Sequence, residues 1–510
     1  MYFKKTFAIL NILLITSCSI APKYIGDSKL YQLATQDIEI SSKNIDPLSE
    51  KLSLHEAIAR GIKYNLDYKI KLLEETLVSS EIDVAKFDML PKLTADAGYT
   101  YRDKYNIAKA TDSVTGQPSL SNPFISSEKK FSTWGLGLNW NILDFGLGYI
   151  NAKQNADRLI VANEKRRRAM HNLIEDIQVA YIRAASAQKL EGKLNETIRL
   201  AENALGNSKS IENSETNSPM DALRYQKSLL DTVKLLESIQ SELSSAKYEL
   251  GQLINLPHYA VTFDDPDLIA TPKNLDSIDS FDLETLAIMN NAEYKESIYN
   301  ARIAVEEARK GILKIMPNLS FNYGKQYTDN SYTINQNWLE GSSRLSFNLL
   351  NLFTLPSAMQ LADNQEVLSQ ERRRAVQMSV ITKVNLSQQE LINSTKIFNR
   401  SKEISQVNRR ILNITQNKTE NGLAGDNELV SASTEFLLAE LKKYQALSQL
   451  YLANGKLRSS VGYEPKIQSV DEYTIYELAD LVDESSSSWS EENIKNEIYA
   501  LNQTLINIDD

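Results

Sequence analysis

The sequence predicts a mixed α and β fold that consists mainly of long α-helical hairpins and is built from an internal tandem repeat. Three short motifs each occur twice, in the same order. The pairs are Leu90-Pro91-Lys92-Leu93 with Met316-Pro317-Asn318-Leu319, Leu138–Leu143 with Leu345–Leu350, and Arg166-Arg167-Arg168-Ala169 with Arg372-Arg373-Arg374-Ala375. Each copy holds a short helical segment, two stretches of alternating polarity and a very long helical stretch. Two copies are too few for a solenoid, so the duplication favours a pseudo-symmetric assembly around a pore or tube.

The first residues have the pattern of a targeting segment. Lys4 and Lys5 precede an apolar run that is too short to span a bilayer as a helix, so residues 1–17 are predicted to be a signal peptide. Cys18 follows Ile15-Thr16-Ser17, as in a bacterial lipobox, and is the predicted lipidation site. Residues 18–50 would then form a lipidated, extended N-terminal segment. The alternative is that Cys18 remains a free thiol. It cannot form an intramolecular disulfide, because the chain has no second cysteine.

Composition limits the classes of function. The net charge of −10 over 510 residues argues against a nucleic acid partner, which requires a basic face. No segment after the signal peptide approaches 18 consecutive apolar residues, so no helical membrane span is predicted. The arginine runs at 166–168 and 372–374 lie in helical stretches and are interpreted as solvated helix faces.

The first repeat is predicted to cover residues 51–256. Ser53 and Glu56 have the spacing of a capping box, which starts a helix over Leu52–Met89 that ends before Pro91. Two strands at about 92–105 and 131–143 follow, separated by a polar loop. Each is about 9–11 residues long, which is enough for a tilted strand to cross a membrane. Their apolar positions fall on one face: Leu93, Ala95, Ala97, Tyr99, Tyr101, Trp134, Leu136, Leu138, Trp140 and Ile142.

The second repeat is predicted to cover residues 283–465, with strands at about 318–328 and 342–350. Lys325 interrupts the apolar face of the first of these. Alternation with aromatic residues is typical of a transmembrane β-barrel, although a half-buried soluble sheet alternates as well. If the strands lie in a membrane, several chains must share one barrel, because four strands cannot close one and unpaired edges are forbidden in lipid. The predicted lipid-facing residues are Tyr99, Tyr101, Trp134, Trp140, Phe321 and Phe347.

Long helical hairpins follow each strand pair. Apolar residues recur in steps of three and four from about Gly148 to Gly206, which predicts a helix of about 90 Å. The chain turns over 211–219 and returns to Leu256. The second hairpin starts near Ala358, turns over 421–425 and ends at Gly462. Residues 257–282 are a connector, and residues 466–510 are interpreted as an acidic, peripheral and partly mobile C-terminal tail.

From about Leu52 to Pro465 the sequence resembles the TolC-like outer membrane efflux protein family. The opening Leu52-Ser53-Leu54 with Glu56-Ala57-Ile58 and Asn65 is similar to that of the family, as is the strand-to-helix junction Trp140–Gly146. Cys18–Tyr24 resembles the mature start of the family's lipoprotein branch. The resemblance implies a homotrimer in which each chain gives four strands to a 12-stranded transmembrane β-barrel. A 12-helix periplasmic α-barrel would continue this barrel.

The resemblance also implies a bacterial outer membrane location, with a lipid anchor and a large periplasmic extension. The expected function is passive export of small molecules, such as drugs and toxic compounds. An inner-membrane pump would supply the energy, and a periplasmic adaptor (membrane fusion) protein would join pump and duct. A duct for type I protein secretion is the alternative, and a lipid-anchored coiled-coil scaffold is the alternative from another class. A periplasmic adaptor is disfavoured, because this chain has two hairpins and membrane-type strands.

The resemblance places a gate at the periplasmic tip. Matching Gly422 and Gly462 to the family puts Glu428 at a ring position, and the internal repeat pairs Glu428 with Asp221. The alternative is that both acids complement a helix dipole. Gly422 and Leu423 are the expected adaptor-contact tip, whereas the first tip, 213–219, lacks such a glycine. No enzyme, cofactor or metal site is predicted, because no phosphate-binding loop or zinc spacing occurs and three histidines are scattered: His55, His171 and His258.

Overall fold

The structure is a computed structural model that describes residues 24–43, 45–108, 111–118, 124–212, 219–256, 261–273, 275, 277–467 and 469–506. It divides into two units, residues 1–49 and 50–510. In the first unit, helix α1 spans Asp27–Ser42. The prediction of an extended segment is therefore wrong for this stretch, which contains no proline or glycine to prevent a helix. The predicted signal peptide and Cys18 lie outside the described residues.

The second unit contains two similar series of elements followed by two short helices. The first series comprises α2 (Leu54–Tyr64), α3 (Leu66–Phe87), β1 (Lys92–Tyr101), β2 (Asn106–Ala108), β3 (Phe124–Ser127), β4 (Lys130–Asn141), α4 (Ile142–Glu212) and α5 (Pro219–Leu253). The second comprises α6 (Ser280–Asn290), α7 (Ala292–Leu313), β5 (Asn318–Thr328), β6 (Asn337–Ser346), α8 (Asn351–Glu420) and α9 (Asp426–Val461). The last helices are α10 (Ile475–Ser488) and α11 (Glu491–Ile506).

Corresponding helices in the two series have nearly equal lengths. Helices α2 and α6 each have 11 residues, α3 and α7 each have 22, and α4 and α8 have 71 and 70. An asparagine separates each short helix from the next: Asn65 accepts from the Tyr68 amide and Asn291 from the Tyr294 amide, both at 2.9 Å. The predicted continuous helix over Leu52–Met89 is therefore wrong, because the backbone of Asn65 is extended.

The asparagines also tie the short helices to the ends of the hairpins. The Asn65 side chain donates to the Leu253 carbonyl oxygen at 3.0 Å, and that of Asn291 donates to the Ser460 carbonyl oxygen at 2.8 Å. Helix α4 packs against α5, α9, α3 and α7, and α9 also packs against α8. Small and branched side chains fill the contacts of α4, such as Ile177, Ala180 and Ala184, each at most 1% exposed. The hairpins thus share one packed interior.

The main sheet is antiparallel and has the order β1-β4-β5-β6, so β1 and β6 are its edges. Strands β2 and β3 form a separate ribbon. Strand β4 ends at Asn141, earlier than predicted, because the Asn141 side chain caps α4 by accepting from the Leu143 amide at 2.9 Å. Strand β6 spans Asn337–Ser346, so the predicted range 342–350 is displaced. The run Glu340–Ser343 conceals the alternation that marks this strand.

The C-terminal segment packs against earlier helices of the same unit. Leu478 and Val482 of α10 are buried, and α10 contacts α2. Trp489 is 2% exposed and donates from Nε1 to Asn454 Oδ1 at 3.1 Å. The interpretation as a peripheral, partly mobile tail is therefore wrong for α10. Its serines suggested mobility, but Ser485 is buried and its hydroxyl accepts from Arg458 at 2.7 Å.

Candidate functional site

The β4–β5 register aligns aromatic residues on one face of the main sheet. Trp134 stacks on Tyr327 with ring centroids 5.3 Å apart, and we call this pair the loop-side aromatic layer. Trp140 lies 6.5 Å from Phe321 and 6.2 Å from Phe145, and these three rings form the helix-side aromatic layer. Trp140 follows Trp134 by six residues, which corresponds to about 20 Å along the strand. The spacing is close to that of the aromatic girdles of a membrane barrel, which flank a band of about 25 Å.

Five of the six residues predicted to face lipid share this apolar face. Tyr99 and Tyr101 lie on it through their pairing with Ser132 and Lys130, and Trp134, Trp140 and Phe321 lie on it through the β4–β5 register. The sixth, Phe347, follows the last residue of β6 and is not part of a strand. Contact of these residues with lipid stays a prediction.

The opposite face of the sheet is mostly polar, with Phe131 and Trp338 as aromatic exceptions near the loops. Its side chains include Thr94, Asp96, Asn139, Asn322, Gln326, Glu340 and Arg344. Asp96, Gly135 and Gln326 form one row across three strands. A Cβ atom on Gly135 would lie 2.6 Å from Gln326 Oε1 and 2.8 Å from an Asp96 carboxylate oxygen, so glycine leaves room for both polar side chains. A sheet with one apolar and one polar face can separate lipid from a water-filled lumen.

The tip of the second hairpin is a tight turn. Gly422 has φ +71°, a conformation that glycine adopts at little cost. Its amide donates to the Thr419 carbonyl oxygen at 3.0 Å, and the Leu423 amide donates to the Lys418 carbonyl oxygen at 2.8 Å. The turn presents Leu423 with 78% of its surface exposed. The predicted adaptor-contact residues therefore lie at the tip, although their contact with a partner stays a prediction.

Two acidic residues lie in the first turn of α9, just after this tip. Glu428 is exposed, and Asp426 lines a cleft with Asn203, Gly206 and Asn207 of α4. At 3.6 residues per turn, side chains two positions apart point to different sides of a helix. Asp426 was not among the residues predicted from the sequence, although its position two residues before Glu428 in the same helical turn was a visible signal. Asp221 lies in the first turn of α5, but its side chain is outside the described part of the chain.

An apolar cluster supports the start of α9. Val430 packs there with Ala201 and Ala204 of α4 and with Leu229 of α5. Tyr225 of α5 is partly buried against the same cluster. Burial is the main cause that raises the pKa of the Tyr225 hydroxyl, and the negative charge of Asp426 raises it further. The first turn of α9 is therefore fixed against both helices of the first hairpin.

A charged network joins the connector to the hairpins. Asp267 accepts from Lys189, from Lys443 Nζ at 2.9 Å and from the Tyr444 hydroxyl at 3.1 Å. Lys443 Nζ also lies 3.1 Å from Glu440 Oε2, and Glu440 is only 2% exposed. Burial opposes ionisation of Asp267, but the lysine hydrogen bonds outweigh it and lower its pKa to about 2. We call Asp267, Lys189, Glu440, Lys443 and Tyr444 the connector network.

Two of the three arginines in the first run do not lie on a solvated helix face, whereas Arg168 is exposed, as expected. Arg166 pairs with Glu75 at 2.7 Å, and Arg167 pairs with Glu464 at 2.6 Å. The prediction is wrong for Arg166 and Arg167, because Glu75 of α3 and Glu464, which follows α9, pack against this part of α4. In the second run Arg372 and Arg374 are exposed, as expected.

Within the described ranges, no helix combines the length and the apolar character needed to cross a membrane. The same residues contain no cluster of three or more histidine, cysteine or acidic side chains suited to a metal ion.

No protein-family model matches the sequence. No curated protein matches it either. Solved structures do match. The outer membrane channel CmeC of Campylobacter jejuni has 10% identity and a TM-score of 0.63, covering 92% of this chain and 98% of that one. The outer-membrane channel OprN has 15% identity and a TM-score of 0.62, covering 80% and 89%. The open-state MtrE channel of Neisseria gonorrhoeae has 13% identity and a TM-score of 0.58, covering 87% and 98%.

The chain therefore has the fold of an outer membrane channel. Within that class its fold is TolC-like, mostly helical with a small number of strands. The matched structures are channels rather than enzymes.

Proposed function

We propose that this chain is one subunit of a homotrimeric outer membrane export duct. The observation that carries the proposal is the amphipathic four-stranded sheet with β1 and β6 at its edges. In lipid every backbone amide must be paired, so the two edges need strands from other chains. Three chains would close a 12-stranded barrel, whereas four strands are fewer than the eight of the smallest single-chain barrels.

The surface of α8 supports assembly from several chains. Five exposed apolar residues follow one another in steps of seven, three, four and three: Ile397, Ile404, Val407, Ile411 and Ile414. We call them the α8 stripe. This spacing is that of a coiled-coil seam, which becomes stable when a second helix covers it. A neighbouring chain in a 12-helix α-barrel would provide that helix.

The duct would conduct passively. The polar face of the sheet would line the barrel, and Glu428, with Asp221, would form the periplasmic gate ring, which favours cations. The adaptor would contact Gly422 and Leu423, and an inner-membrane pump would supply the energy. We propose small molecules as the cargo, with type I protein secretion as the alternative, and acylation of Cys18 as the anchor in the outer membrane.

The first experiment separates a duct from a scaffold. The purified full-length protein is measured by native mass and by ion conductance in planar bilayers. A trimer with heat-sensitive β-structure and stable conductance supports the duct. A helical oligomer without conductance would refute it and leave the coiled-coil scaffold.

The second experiment tests the cargo. Accumulation of a fluorescent pump substrate is compared between cells with and without the gene, with complementation as the control. Higher accumulation in the deletion supports small-molecule efflux. If accumulation is unchanged in a strain that lacks other ducts, the assignment moves to protein secretion.

A further inference from the structure

We propose that Lys325 and Lys130 bind the phosphate groups of glycolipid in the outer leaflet of the outer membrane. This inference rests on the proposed function, because it requires that the apolar face of the sheet lies in the membrane. It extends that function by naming a lipid-binding surface and the chemistry that the surface recognises.

The register places both lysines on the apolar face. Lys325 pairs with Leu136 of β4 and Leu339 of β6, and Lys130 pairs with Tyr101 of β1. The apolar face carries no other charged side chain in β1, β4, β5 and β6, whereas the polar face carries charges of both signs: Lys92, Asp96, Glu340 and Arg344. The charge on the apolar face is therefore entirely positive.

Both lysines are on the loop side of the sheet. Lys325 lies two residues from Tyr327 of the loop-side aromatic layer and four from Phe321 of the helix-side layer. Lys130 lies four residues beyond Trp134, toward the loops. If the helices are periplasmic, the loop side faces the cell exterior. Lys325 then lies about 7 Å inside the loop-side aromatic layer and Lys130 about 13 Å outside it. Their long side chains approach from two sides the surface of the outer leaflet, where the phosphates of its glycolipid lie.

Neither lysine has an acidic partner within the described chain. Lys325 is exposed between Leu136 and Leu339, and the Lys130 ammonium lies 5.6 Å from the centre of the Tyr101 ring. A lysine on the lipid face is destabilising near the bilayer centre and much less so near the interface. A lysine side chain can extend along apolar surface until its ammonium reaches the polar layer. There an anionic phosphate would neutralise the charge that the sheet leaves unpaired.

The test measures binding of a defined lipid to the purified full-length trimer in neutral detergent. The probe is bisphosphorylated lipid A, and the comparison lipid is the same molecule without its phosphates. We expect Lys325→Met to raise the half-saturating concentration about fivefold, the contribution of one lysine near an anionic surface. Lys130→Met should act in the same direction. Lys325→Arg should bind as the unaltered protein does, because it keeps the positive charge.

Lys234→Met is the matched control, because Lys234 is an exposed lysine on α5. It should leave lipid binding unchanged. Equal binding of the phosphorylated and dephosphorylated lipids, or unchanged binding by Lys325→Met, would overturn the inference while a conducting trimer keeps the proposed function. Failure to form any trimer with β-structure contradicts the proposed function, and the inference fails with it.

Discussion

Lys443 holds two carboxylates in the connector network, and its removal should loosen α9. Glu440 is 2% exposed and, among the residues that the structure describes, would keep only Ser405 and the more distant Arg409 as partners. Removing one partner of a buried ion pair is strongly destabilising, and we expect about 2 kcal/mol here because those partners remain. Lys443→Met should therefore lower hydrogen-exchange protection near residue 440 about 30-fold.

The matched control is Lys227→Met, which removes an exposed lysine paired with Asp231. Exposed pairs contribute little to stability, so this variant should exchange as the unaltered protein does. Adding Glu440→Gln to Lys443→Met should restore part of the protection, because no unpaired carboxylate then remains buried at that position. Equal protection in Lys443→Met and the unaltered protein would contradict the role of this pair.

Asp267 gives the same network a pH dependence. Its pKa is lowered to about 2 from an ordinary value of 3.8, so its stabilisation is complete above pH 4 and is lost as the pH falls toward 2. Because the side chain is 39% exposed, we expect Asp267→Asn to cost about 1 kcal/mol at pH 6. The cost should be about half as large at pH 3. Hydrogen exchange of the connector at pH 6 and pH 3 measures this cost in the variant and the unaltered protein. A cost that is the same at both pH values would argue against an ionic contribution.

Glu428 and Asp426 provide a matched pair for testing the gate. If Glu428 faces the channel axis in a trimer, Glu428→Gln should reduce the preference for cations. One carboxylate at about 8 Å from a permeating cation, in a medium of effective dielectric ~40, contributes about 1 kcal/mol. Its removal should therefore lower the cation-to-anion permeability ratio about fivefold. Asp426→Asn should have a smaller effect, because Asp426 lines the cleft with α4. Reversal potentials in a KCl gradient measure both, and equal effects would contradict Glu428 as the ring residue.

At the scale of elements, α10 should stabilise α2. Leu478 is fully buried, whereas Tyr476 of the same helix is 66% exposed. Leu478→Ala removes a buried side chain and should cost about 3 kcal/mol, whereas Tyr476→Ala serves as the control. The measurement is hydrogen exchange of α2, over Leu54–Tyr64. If α2 stays fully protected in Leu478→Ala, the contact between the two helices does not contribute to its stability.

The elements also show how far the sequence could predict the structure. The strands β1, β4 and β5 followed from alternation, because side chains on a strand alternate between two faces. The break at Asn65 was hidden because the helical pattern continues on both sides of it. The connector network could not be predicted, because Asp267 and Lys443 are 176 residues apart and no local pattern joins them. Local periodicity therefore predicted the elements, and long-range packing determined which charges are buried.

At the scale of the whole molecule, the α8 stripe should determine whether chains associate. The stripe leaves Ile404 and Ile411 exposed within one chain. Placing a charge in an apolar helix seam removes favourable packing and leaves the charge without a partner. We therefore expect Ile404→Lys combined with Ile411→Lys to convert most of the detergent-extracted trimer to monomer. Native mass spectrometry over a tenfold range of protein concentration measures the distribution.

The control places the same two lysines elsewhere on α8. Gln406→Lys combined with Asn413→Lys keeps the seven-residue spacing and changes two exposed polar residues. At 100° per residue these positions lie on the side of the helix opposite the stripe. Loss of the trimer only in the stripe variant would place the subunit interface on this face of α8. An intact trimer in the stripe variant would mean that the sheet edges alone hold the chains together, and the stripe would then need a different partner.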